Sequence, residues 1–141
     1  MATRAHWQDP IGLETIQIIM KKIIPTWTDG LHLVQLELVS AIRDGRDILC
    51  CIATGDGKSA AFAVPGLVLL EYNAHLDAYP AGLPTRKRPI GVVITPTKGL
   101  ANNIVFELSK LNVSAVSYCH ETFSCKIGHF GRFLPSRSIF Q

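Results

Sequence analysis

The sequence predicts an α/β fold, a parallel sheet with flanking helices that is incomplete at its C-terminal end. Three observations predict it. Apolar runs such as Ile90-Gly91-Val92-Val93-Ile94-Thr95 alternate with stretches of helical period. One such run, Asp47-Ile48-Leu49-Cys50-Cys51-Ile52, leads directly into a Gly-rich turn and then a helix-like stretch. With 141 residues and 48% apolar content, the chain is long enough for the core of one domain.

The elements run in order along the chain. Ile16, Ile19, Met20, Ile23 and Ile24 recur at helical spacing and Pro25 stops the pattern, so a helix spans about 11–24. Thr26 to Gly30 is a turn. Leu31, Val34, Leu38, Ala41 and Ile42 form a second apolar stripe, and this helix runs to about Asp44 and ends near Gly45. Asp47 to Ile52 reads as a buried strand. The next helix spans about Lys58 to Leu70 and is apolar nearly all round, as suits a helix packed on a parallel sheet. Glu71 to Pro89 is a long connection punctuated by Pro80, Gly82, Pro84 and Pro89. It carries Arg86-Lys87-Arg88, a basic run that is either a solvated loop or a nucleic-acid contact. Ile90 to Thr95 is a second strand, Thr97 caps a helix from Lys98 to about Leu111, and Val113 to Tyr118 is a third strand. From Phe123 neither period persists.

Composition sets limits. A net charge of +3 permits a nucleic-acid partner without arguing for one. No run of 18 apolar residues is present, which argues against a membrane partner, and Met1 to Pro10 lacks the apolar segment of a secretory signal. Cys50 and Cys51 are adjacent, so on a strand they point to opposite faces. Cys119 and Cys125 are not at a zinc spacing. The expectation is free thiols in a reducing compartment, cytosol or nucleus.

The chemistry concentrates in Ala53-Thr54-Gly55-Asp56-Gly57-Lys58-Ser59. Strand, glycine turn, Gly-Lys-Ser and helix is the order a phosphate-binding loop requires. Glycines let successive N–H groups face phosphate oxygens. Lys58 brings a point charge to the β/γ-phosphates, and the Ser59 hydroxyl suits Mg²⁺. The strict form of the motif wants Gly at position 52, where this chain has Ile52. The bland alternative is a Gly-rich turn with a solvated lysine.

Three further features line up with this loop. Gln35 lies 20 residues before Gly55, Gly45-Arg46-Asp47 leads into the strand, and Thr95-Pro96-Thr97-Lys98-Gly99-Leu100-Ala101 comes after the next strand. On these residues the chain, from about Leu31 to Thr122, resembles a superfamily 2 ATP-dependent helicase of RecQ-like or DEAD/DEAH-box type. The resemblance implies a RecA-like P-loop NTPase fold with ATP and Mg²⁺ as cofactors. It implies that Thr54, Gly55, Asp56, Gly57, Lys58 and Ser59 hold the phosphates, with Ser59 on the metal. Gln35 would read the adenine edge, since its amide carries both a donor and an acceptor. Thr95, Thr97 and Lys98 would contact a nucleic-acid backbone, with DNA favoured over RNA if the chain is RecQ-like. A nuclear location is favoured on the same basis. The expected organisation is an N-terminal helical extension over 1–30, a partial ATP-binding lobe over 31–122 and a divergent tail over 123–141.

The chain also departs from that pattern. Leu31 and His32 stand where RecQ-like proteins carry Phe-Arg, and Gly99 stands where the DEAD-box segment has Glu. No Asp-Glu-Ala-Asp or Asp-Glu-x-His is present, and no second lobe is present in the sequence. Phosphoryl transfer depends on such carboxylates. The expectation is therefore a nucleotide-binding chain with no catalytic residue of its own. The alternative is a non-catalytic fragment or interaction module. A GTPase would need Asn-Lys-x-Asp, which is missing.

Overall fold

A computed structural model describes residues 5–51 and 60–118 of the chain. The chain divides into two units, Met1–Pro89 and Ile90–Gln141.

In the first unit three helices pack on one another: α1 (Pro10–Ile23), α2 (Leu33–Arg43) and α3 (Ala60–Ala74). Helix α1 starts where Asp9 takes an extended conformation and Pro10 supplies a preset φ in the first turn. Gly12 lies so close to the Trp7 and His6 carbonyls that a Cβ would sit 2.5 Å and 2.6 Å from them, which only glycine avoids. Helix α2 ends as its sequence predicts. Gly45 adopts φ +75°, Gly45 N–H donates to the Ile42 carbonyl at 3.0 Å, and Arg46 N–H donates to the Ala41 carbonyl at 3.0 Å. This paired closure satisfies two carbonyls that the helix would otherwise leave orphaned.

Helix α3 carries Pro65 within it and buries Ala63, Val64, Leu67, Val68, Leu69 and Tyr72. Together with Trp7, Ile16, Ile19, Met20 and Val39 these side chains make the core. Each fully buried aliphatic side chain contributes about 1.5–3 kcal/mol relative to exposure. The Trp7 and Tyr72 rings meet edge to face at 5.3 Å, and Tyr72 stacks on Tyr79 at 6.0 Å. The Tyr72 hydroxyl donates to the Pro80 carbonyl at 2.6 Å and the Trp7 indole N–H to the Pro84 carbonyl at 2.8 Å. The two polar ends of these rings therefore hold the connection after α3, with its short 3-10 turn Leu76–Ala78, against the helices.

The second unit contains α4 (Lys98–Lys110). Thr97 caps it as predicted, its Oγ1 accepting the Leu100 N–H at 3.3 Å. Its C-terminal end repeats the closure of α2 with Asn112 in the glycine role at φ 55°. Asn112 N–H donates to the Ser109 carbonyl at 3.1 Å and Val113 N–H to the Leu108 carbonyl at 3.0 Å.

The predicted parallel sheet is not there: among the described residues no segment is a strand. The described part of Asp47–Ile52 and both Ile90–Thr95 and Val113–Tyr118 run without ladder pairing. A β-branched apolar run supplies local propensity, but a strand exists only when a neighbour completes its hydrogen bonds. Helix α3 illustrates the physical reason. Most of its apolar surface is buried against α1, α2 and the connection after it, with Phe62 left exposed, so the helix finds its cover without a sheet. Much of these runs faces solvent, with Leu49 and Ile94 each 94% exposed and Val92 81% exposed, although Val113 is buried.

Candidate nucleotide and nucleic-acid sites

Gln35, the predicted adenine reader, sits in the first turn of α2. His32 takes an extended conformation at the N-cap, and its backbone N–H donates to Gln35 Oε1 at 3.0 Å. The Gln35 side chain thus reaches back over the start of its own helix, which is the reciprocal half of a capping box. The side chain that the sequence assigns to adenine is, in the structure, engaged in this cap.

The predicted phosphate-binding residues Thr54, Gly55, Asp56, Gly57, Lys58 and Ser59 lie outside the described residues. Helix α3 is described from Ala60, the residue immediately after Gly57-Lys58-Ser59 in the sequence. The donor chemistry of that tripeptide, an ammonium, a hydroxyl and backbone N–H groups, suits a triphosphate and its Mg²⁺. The carboxylates available after residue 60 are Glu71, Asp77, Glu107 and Glu121, no two of them adjacent.

Thr95, Thr97 and Lys98 come together at the start of α4. Thr95 Oγ1 donates to the Thr97 carbonyl at 3.1 Å, and Thr97 Oγ1 is the cap. Thr97 and Lys98 are exposed and Thr95 is half-buried. Hydroxyls and a cation at a helix start match the donors that hold a phosphate backbone. Gln35 belongs to the first unit and this trio to the second.

The structure also reveals polar clusters that periodicity did not single out. Gln17 reads the backbone of Leu31 with both ends of its amide: Nε2 donates to the Leu31 carbonyl and Oε1 accepts the Leu31 N–H, each at 2.8 Å. Half-buried Glu71 gathers Lys22 Nζ at 2.6 Å, His75 Nδ1 at 3.0 Å and the Tyr79 hydroxyl at 3.1 Å. Burial alone would raise the Glu71 carboxyl, but the hydrogen bonds from Lys22 and Tyr79 and the neighbouring charges hold it below the usual glutamate range. The hydrogen bond to Glu71 raises Lys22 in turn. Burial, then the bond to Glu71, raises the Tyr79 phenol. Among the described residues no three His, Cys, Asp or Glu side chains form a metal cluster, and no helix is long and apolar enough to cross a membrane.

Comparison with known proteins separates the candidate families. A model of the DEAD/DEAH box helicase family matches residues 32–127. The chain is 39% identical over 89 residues to a protein named probable ATP-dependent RNA helicase vasa-like from Penaeus vannamei, covering 61% of this chain and 12% of that protein. It is 32% identical over 110 residues to the pre-mRNA-processing ATP-dependent RNA helicase prp5 of Emericella nidulans, covering 75% of this chain and 8% of that protein. DEAD-box ATP-dependent RNA helicase 24 of Oryza sativa subsp. japonica is 38% identical over 77 residues, or 55% of this chain and 9% of its own length. The chain thus spans about a tenth of the length of these curated relatives. No solved structure matches it. The relatives' names are those of RNA helicases, and the expectation of a RecQ-like DNA helicase finds no support in them.

Proposed function

The chain belongs to the DEAD/DEAH box helicase family, and from that premise we propose that residues 31–122 bind Mg·ATP and single-stranded RNA without hydrolysing the nucleotide. One observation carries the reading: Gln35, Gly57-Lys58-Ser59 and Thr95-Pro96-Thr97-Lys98 occur in this order within the stretch that the family model matches.

Each residue has a role that its chemistry supports. Lys58 and the backbone N–H groups of Thr54 to Gly57 hold the phosphates, and the Ser59 hydroxyl ligates the metal. Bound Mg²⁺ supplies charge neutralisation between the phosphate oxygens. Gln35, held at the start of α2 by the His32 N–H, reads adenine through its amide. Thr97 and Lys98 hold one phosphate of the strand, with Thr95 bracing the turn before them. Hydrolysis is not assigned, because the sequence has no paired carboxylates to orient a water or a second metal contact. RNA is preferred to DNA because the relatives carry RNA in their names. The family resemblance also favours the nucleus.

Competition experiments test this reading. ATP should displace a fluorescent ATP analogue from the purified chain more strongly than GTP, because guanine presents O6 where adenine presents its amino group. Gln35→Ala should erase the difference. An oligoribonucleotide should compete better than the matching oligodeoxyribonucleotide for a labelled RNA strand. Equal competition by GTP in the wild type would contradict the role of Gln35, and stronger competition by DNA would contradict the choice of RNA.

A further inference from the structure

Cationic side chains gather around Trp7 in the first unit. Arg43 is the last residue of α2, and its guanidinium lies 6.0 Å from the Trp7 ring centroid. Arg43 Nε is buried and has no hydrogen-bond partner among the described residues. The neighbouring carboxylate does not meet that need. Asp44 engages the Trp7 backbone N–H through Oδ1 at 2.8 Å and the Gln8 N–H through Oδ2 at 3.0 Å. His6 Nδ1 lies a further 3.8 Å from Asp44 Oδ1 and adds no negative charge.

The same tryptophan fixes a second group of cations. Its indole N–H holds the Pro84 carbonyl, and Asn73 Nδ2 on α3 holds the Arg86 carbonyl at 2.7 Å. The backbone carrying exposed Arg86, Lys87 and Arg88 is therefore pinned beside the ring that Arg43 covers. Burial and then the charge of Arg86 push the Arg43 guanidinium below its ordinary value, while Asp44 opposes them. Like charges gathered around one buried, unsatisfied donor favour an anion beside them.

We infer that Arg43 and Arg86, continued by Lys87 and Arg88, form a phosphate-binding surface for the backbone of single-stranded RNA, additional to the Thr95–Lys98 segment. The inference rests on the nucleic-acid reading above and extends it to a second site. A run of three consecutive cations can track successive phosphates, whereas one free phosphate would use only the guanidinium pair. Trp7 is fully buried, so it offers no face for a base to stack on, and the contact is independent of sequence.

The test is fluorescence anisotropy of a labelled single-stranded oligouridylate with the full chain, without nucleotide, across a salt series. Arg86→Glu should weaken binding roughly tenfold at low salt and flatten the salt dependence, since each lost phosphate contact removes about 0.7 from the slope for single strands. Lys21→Glu, the same charge change in the last turn of α1, should weaken it by no more than about twofold. Arg86→Glu should also raise the melting temperature, because a glutamate beside Arg43 replaces repulsion by attraction. An exposed loop with only a structural role would not show lost affinity together with gained stability. Equal effects of Arg86→Glu and Lys21→Glu, or no binding of the oligouridylate by the wild type, would overturn the inference. Lys98→Glu should weaken binding without removing the effect of Arg86→Glu, so a failure of the Thr95–Lys98 contact shows separately as binding that is insensitive to Lys98→Glu.

Discussion

The Asp44 carboxylate accepts the Trp7 backbone N–H at 2.8 Å, although the two residues are 37 positions apart. Its other oxygen accepts the Gln8 N–H at 3.0 Å. The side chain at the end of α2 thus caps the loop that enters α1, and it places the Trp7 ring over the core.

Loss of this lock should be strongly destabilising. Asp44→Ala leaves two backbone donors without their charged acceptor and is expected to cost about 2–3 kcal/mol. Asp44→Asn keeps one acceptor and should cost less. Urea unfolding monitored by tryptophan fluorescence measures both, and an unchanged midpoint for Asp44→Ala would show that the lock adds nothing.

Gln17 makes a comparable link between α1 and the residue after the turn. Both its amide atoms bond the Leu31 backbone, and Gly30 before it has φ +73°. Gln17→Ala is expected to lose about 2 kcal/mol, and Gln17→Glu, which cannot donate to the carbonyl, should lose a similar amount. Circular-dichroism melts check the order. Gly30→Ala should also destabilise, since a Cβ there would meet the Gln17 side chain in a left-handed backbone.

The Glu71 cluster gives a pH dependence of definite sign. Burial would raise this carboxyl, but Lys22, Tyr79 and His75 together hold it below its ordinary value. The folded state therefore binds the Glu71 proton more weakly than the unfolded chain does. The stabilisation is present above about pH 4 and is lost as pH falls through the depressed folded-state value. Between about pH 6 and about pH 3, the wild type should lose more stability than Glu71→Gln does. Parallel losses in the two proteins would show that Glu71 is not depressed in the folded state.

Leu49 and Ile94, each 94% exposed, are expected to drive self-association. The double substitution Leu49→Lys, Ile94→Lys should lower static light scattering at a given concentration and leave the melting temperature unchanged, because neither side chain packs in the core. A large fall in melting temperature would mean that one of them is buried in solution.

The helices were legible in the sequence, whereas the sheet it predicted is absent among the described residues. Helical information is local: Ile16, Ile19 and Met20 recur at helical spacing, Pro10 and Thr97 mark starts, and Gly45 marks an end. Strand information is half local. Ile90 to Thr95 has the right residues, but its pairing depends on partners that its own sequence does not name. Helix α3 misled in a specific way, because an apolar circumference fits burial among helices as well as burial on a sheet. Among the candidate-site residues the Thr97 cap was legible in the sequence, whereas the bond from the His32 N–H to Gln35 was not. Asp44, Gln17 and Glu71 were not, since each acts through a partner remote in sequence.

The central claim is that this chain holds nucleotide phosphates through Gly57-Lys58-Ser59 ahead of α3. Calorimetric titration of Mg·ATP into the wild type and Lys58→Ala tests it most directly. The expected result is weak, saturable binding to the wild type, no detectable binding to Lys58→Ala, and no phosphate release by either. Equal binding by the two proteins would contradict the phosphate-loop assignment. Phosphate release by the wild type that Lys58→Ala abolishes would contradict the claim that the chain binds ATP without hydrolysing it.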